Sequence, residues 1–247
     1  MSDKKGDFAV RSDVNMGNWH DMTYGGVLSF LRRRYTRDLT GVDIAISGVP
    51  YDGATTGRSG ARLGPRAIRA ASAGLAELDA FPFGFDLYSR LNIVDYGDCH
   101  IDPHHPDLVA DTIMQHARGI LNTDTKMLTF GGDHFVTYPL LRAHAEKHGP
   151  IALIQFDAHC DTWKDDGTMI DHGTMFGRAV SEGIIDVKRS TQIGLRTQHD
   201  QDVGFQMLNA TWVHRNGIDA ALEKTISRAG DAPVYICLLY TSPSPRD

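Results

Sequence analysis

The sequence predicts an α/β protein whose mostly parallel sheet is covered by helices on both faces. Short apolar runs rich in β-branched residues alternate with helical patterns along the chain. The runs are near-continuous rather than alternating, as in strands buried on both sides. Two of them end in polar motifs, Gly131-Gly132-Asp133-His134 and Asp157-Ala158-His159-Cys160-Asp161, and open α/β sheets place their ligands just past strand ends.

In chain order, the polar first dozen residues are expected to fray, and aromatic and aliphatic positions of 15–34 to pack over the domain. A strand follows at 42–46, where Val42, Ile44 and Ile46 supply the β-branched side chains. Residues 48–65 hold five glycines and form a loop, and Pro65 suits the first turn of a helix over 65–78. The loop lacks the lysine and hydroxyl of a phosphate-cradling Walker motif. Further strands are expected at 91–94, 126–130, 151–156, 191–195 and 233–236, with helices over 106–121, 136–147 and 218–229.

Length and composition narrow the function. A chain of 247 residues suffices for one α/β domain with a substantial core. The net charge of −6 argues against a nucleic-acid partner and suits a small cationic substrate. No apolar run is long enough to span a bilayer, and the charged start lacks a signal-peptide core. Cys99, Cys160 and Cys237 are scattered and read as reduced thiols, so the expected location is the cytoplasm.

In an extended strand residues two apart share a face, so Asp157, His159 and Asp161 are expected to converge on one point, with Cys160 in the packed layer behind them. Imidazole and carboxylate donors without thiolates suit manganese, zinc, iron or cobalt in an open, catalytic site. Other histidines carry less. His144 and His148 stand one helical turn apart, and His104-His105 lies between prolines; both pairs read as structural or solvated. Trp163 fits a packing role as well as a wall of a substrate pocket.

The two polar motifs, the segment Asp171-His172-Gly173-Thr174-Met175-Phe176 and the 48–65 loop, in this order, resemble the ureohydrolase (arginase/agmatinase) family, most closely its bacterial agmatinase members. The likeness runs from about residue 41 to 236. It implies a three-layer α/β/α fold of the arginase/deacetylase-like kind, forming a single domain over 1–236, with 237–247 a non-family tail. It also implies two Mn2+ ions, with His134 on one, His159 on the other, Asp157 bridging and Asp161 on the first. Asp161 would relay a proton to the leaving amine, with His172 exchanging it with solvent. The implied reaction is hydrolysis of agmatine to putrescine and urea; guanidinobutyrase or another amidinohydrolase is the alternative. A homo-oligomer is implied for the complete protein.

The sequence departs from the family near its end. Members follow the 233–236 strand with Ser or Thr, an aromatic residue, then Asp-x-Asp. Here Leu239 and Thr241 stand where those carboxylates belong. Two carboxylates leave the charge of two divalent ions half uncompensated, so this chain is expected to hold at most one tightly and to have little activity. The Pro/Ser-rich end reads as non-genic read-through, and a non-catalytic pseudoenzyme or fragment is the other reading.

Overall fold

The computed structural model describes residues 7–11, 15, 23–164, 171–197 and 201–239. The chain divides into two compact units, Met1–Gly53 with Gly57–Asp133, and Ala54–Thr56 with His134–Asp247.

The first unit contains α1 (Phe8–Arg11), β1 (Ile44–Gly48), α2 (Gly64–Ser72), β2 (Ile93–Asp98), α3 (Val109–Leu121) and β3 (Lys126–Phe130). Its sheet is parallel in the order β2-β1-β3, with Ile44 paired to both Ile93 and Lys126. The central strand β1 is apolar because it is covered on both faces. Ile46, Ile93 and Tyr88 form the core there, and Phe30 and Leu31 from the 15–34 segment pack against it. The helix expected over 65–78 ends sooner, α2 passing into a 3-10 turn at Ala73–Leu75.

The polar centre of this unit is Arg69. A register shift opposite Ile46 and Ser47 inserts an extra residue in β2, beside an Asp95 that is fully buried. Arg69 donates to both its oxygens, Nε to Oδ2 at 2.7 Å and Nη2 to Oδ1 at 2.9 Å, and its Nη1 donates to Asp98 Oδ1 at 2.6 Å. The backbone NH groups of Phe30 and Gly97 complete the Asp95 shell. Removing the guanidinium leaves a buried carboxylate without its counter-charge. We therefore expect Arg69→Met to lower unfolding free energy by about 3–5 kcal/mol in urea titration. A loss under about 1 kcal/mol would mean that the pair is dispensable.

The loop after β1 is held by its own side chains. Asp52 is buried and accepts hydrogen bonds from Gly60 N, Arg62 N and Arg62 Nε. The Arg62 contact, aided by those backbone NH groups against the effect of burial, holds its carboxyl down at about 2. At the end of β3, Asp133 N donates to Tyr51 O at 2.7 Å, and a Cβ at Gly132 would overlap that carbonyl. Only glycine permits this backbone approach.

The second unit contains α4 (Thr137–His148), β4 (Ala152–Phe156), α5 (Met175–Ser181), β5 (Thr191–Ile193), β6 (Gln206–Leu208), α6 (Ala210–Asn216), α7 (Ile218–Ala229) and β7 (Val234–Leu238). Its sheet is parallel in the order β6-β5-β4-β7. Side-chain alternation sends Ile154 and Phe156 to one face, where they pack with Ile193, Leu208, Ala221, Trp212 and Val213. The other face meets α4, with the His144 ring edge-on to Tyr235 at 5.3 Å and Cys237 Sγ near Thr137 Oγ1 at 3.9 Å. Helices thus cover both faces of this sheet.

Short elements here have local causes. Asn209 caps α6 by accepting from Trp212 N at 2.8 Å. Arg228, in the last turn of α7, donates to the carbonyls of Ser190, Val187 and Gly204 and ties the helix to the sheet. Strand β7 pairs only with β4 among the described strands, and its outward Ile236 and Leu238 are 67% and 72% exposed. His144 and His148 are not alike: His144 is half-buried, and burial pushes its pKa down to about 4, whereas His148 is exposed. His104 is exposed and bonds Asp102 at 2.9 Å.

Candidate metal centre

Strand β4 delivers the chain to the site and stops at Phe156. Residues 157–161 are irregular, and Asp161 adopts φ +50°, a conformation that aspartate tolerates better than most residues. The motif thus forms no strand, although Asp157 and Asp161 do meet. The turn instead folds Asp161 back toward Asp157, pinned by Asp157 N on Ile193 O at 3.0 Å and Phe176 N on Asp161 O at 3.1 Å.

His134 opens the 3-10 turn His134–Val136 that leads into α4. Its Nδ1 lies 2.6 Å from Asp161 Oδ2 and 3.5 Å from Asp157 Oδ2. Ligand atoms of these three residues lie within 4.8 Å of one another, the one such group found among the described residues. Nε2 faces Cys237 Sγ at 3.2 Å, and the ring stands edge-on to Phe176 at 5.2 Å. Burial alone depresses the imidazole, but Cys237 beside Nε2 and the Asp161 hydrogen bond override it and raise His134 to about 10. In the absence of a metal the imidazole therefore holds a proton shared with Asp161, which a cation at Nδ1 would have to displace.

One nitrogen and two carboxylates, nearly enclosed, fit a divalent ion of the manganese or zinc kind. The second expected position is less complete. His159 Nδ1 approaches Asp157 Oδ1 at 3.4 Å, but its side chain is 51% exposed and it stands outside the three-residue group. Leu239 N donates to Phe156 O at 3.0 Å, so the chain stays alongside β4 but brings no carboxylate at 239. Thr241 lies outside the described residues. The strand itself reaches Leu238, two residues past the 236 boundary read from the sequence.

His172 sits in the turn before α5, where Asp171 Oδ1 accepts from Gly173 N and Thr174 N. Cys160 is buried, as expected of a side chain facing the packed layer, and its carbonyl accepts from Gln192. Trp163 is half-exposed and its backbone NH donates to Gly173 O. A surface cavity of about 480 Å³ beside Trp163, Lys164, Arg178 and Glu182 does not include the three cluster residues. Sequence reasoning missed Gln155 and Gln192, both fully buried and both bonded into the site. Their signal was a polar residue at the same level of two apolar strands.

A nearly enclosed imidazole and paired carboxylates just past a parallel strand form a metal-ligand group, and together with the family match they mark a metal-dependent hydrolase. The arginase-family model matches residues 42–238, and the chain belongs to that family. It is 56% identical over 240 residues to an agmatinase of Chromobacterium violaceum, covering 96% of this chain and 74% of that protein. An agmatinase of Citrobacter koseri is 48% identical over 195 residues, 78% of this chain and 63% of that one. The chain therefore spans under two thirds of the latter's length.

Among solved structures, a hypothetical agmatinase from Burkholderia thailandensis superposes with TM-score 0.90 at 56% identity, covering 94% of this chain and 73% of that one. Proclavaminate amidino hydrolase from Streptomyces clavuligerus gives 0.79 at 32% identity, covering 88% and 75%. These likenesses show the expected three-layer α/β/α class with a mostly parallel sheet. No described helix is long and apolar enough to cross a membrane.

Proposed function

We propose that the activity encoded here is hydrolysis of agmatine to putrescine and urea by a binuclear manganese centre, within one ureohydrolase domain over 1–236. The nearly enclosed His134, Asp157 and Asp161 cluster supports the metal in this reading, at one position. The 56% identity to a protein named agmatinase supports the substrate. His134 Nδ1 and the two carboxylates would hold the first ion, with His159 and Asp157 the remnant of a second position. Bound manganese supplies Lewis acidity and activates water at neutral pH.

The chain's own groups do the rest. Asp157 and Asp161 set a negative field that attracts a guanidinium. The departing amine needs a proton, and Asp161 is proposed to deliver it, with His172 exchanging that proton with solvent. We assign the complete protein to a homo-oligomer in the cytoplasm. As written, the chain retains at most one tightly held ion and little activity. Leu239 favours, as a second reading, a non-catalytic homologue or fragment, with the residues after 238 outside the family match.

The substrate is tested by urea release from a panel of agmatine, 4-guanidinobutyrate and arginine. The chain is first completed with the C-terminal portion of the Chromobacterium violaceum protein. We expect agmatine to be preferred by about tenfold or more in kcat/KM. A preference for guanidinobutyrate would reassign the substrate, and no urea from any of them would favour the non-catalytic reading.

A further inference from the structure

Beneath the cluster lies a pair of buried amides. Gln155 and Gln192 occupy paired positions of β4 and β5, and both are fully buried. Gln192 Nε2 donates to Gln155 Oε1 at 2.6 Å and to Cys160 O at 2.6 Å. Gln155 Nε2 donates to Asp157 Oδ2 at 2.9 Å and His159 O at 3.2 Å, and reaches Asp161 Oδ2 at 3.4 Å. The carboxylate oxygens it touches are the same two that face His134 Nδ1.

We infer that Gln155, locked by Gln192, is a positioning residue that holds the Asp157 and Asp161 carboxylates together for a divalent cation. Two buried carboxylates repel one another, and in low dielectric the repulsion is strong. An amide NH2 bridges them with partial positive charge yet carries no net charge, so it steadies the pair without competing with a cation as lysine or arginine would. Its orientation is fixed from behind. The Gln192 NH2 occupies Gln155 Oε1, and a flipped Gln155 would set its oxygen against Asp157. Gln192 is in turn held by Cys160 O, so the relay runs from β5 through β4 into the 157–161 turn. Outer partners of this kind tune metal affinity.

The inference rests on the metal-centre reading, and one experiment separates the two. Mn2+ binding is followed by EPR on the 247-residue chain, Gln155→Met, Gln192→Met and the double variant, alongside the metal-free Tm of each. Gln155→Met is expected to weaken the Kd by about 10–100-fold. Gln192→Met should weaken it less, and the double variant should match Gln155→Met within about twofold, because both act through one amide. A merely structural role would lower the metal-free Tm and leave the Kd unchanged; that result, or effects that multiply in the double variant, overturns the inference. Should Gln155→Met not fold, Gln155→Asn retracts the same amide and is read the same way. An unaltered chain that takes up no manganese removes the metal-centre reading and this inference with it.

Discussion

Extending the chain through the Asp-x-Asp strand and C-terminal portion of the Chromobacterium violaceum protein is expected to raise manganese-dependent urea release from agmatine by about 1,000-fold or more. Each factor of ten corresponds to about 1.4 kcal/mol of barrier, so this asks about 4 kcal/mol of the restored carboxylates. The argument is electrostatic. Two divalent ions bring four positive charges, and Asp157 and Asp161 are the two carboxylates in the described cluster. Leu239 follows β4 through its backbone but contributes only an apolar side chain. Without two more carboxylates the second ion lacks both charge balance and donors. Equal rates from the 247-residue and extended chains would show that Leu239 and Thr241 cost nothing, contrary to this account.

Loss of the Asp161 carboxylate should weaken the first ion by about 100-fold or more, whereas His159→Ala should weaken it by less than about tenfold. Asp161 Oδ2 lies 2.6 Å from His134 Nδ1, inside the cluster, while His159 is half-exposed beside the other oxygen of Asp157. Asp161→Asn is the informative change, because asparagine also tolerates positive φ and so spares the turn. Manganese titration by EPR reads the affinity directly. An Asp161→Asn variant that binds as tightly as the unaltered chain would remove Asp161 from the ligand set.

Much of the fold was legible because its signals are local. The strand expected at 126–130 and the helix over 218–229 match Lys126–Phe130 and Ile218–Ala229, where a continuous apolar run and a full helical period leave little ambiguity. Strand β6, Gln206–Leu208, is too short to show a period, and α5 and α6 span seven residues each, under two full turns. The cluster residues His134, Asp157 and Asp161 were legible from motif chemistry. Their geometry was not, because Asp161 reaches the site through a positive-φ turn rather than by strand alternation. Gln155 and Gln192 escaped notice because their partnership is set by sheet register, 37 residues apart in sequence.

The outward row on β7 has a consequence for how this chain behaves in a test tube. Tyr235 and Cys237 turn inward, leaving Ile236 and Leu238 bare on a strand whose second edge has no partner among the described strands. Such an edge is a template for intermolecular pairing. Self-association that grows with protein concentration is the behaviour expected of it, and sedimentation of the 247-residue chain over a concentration series would read it.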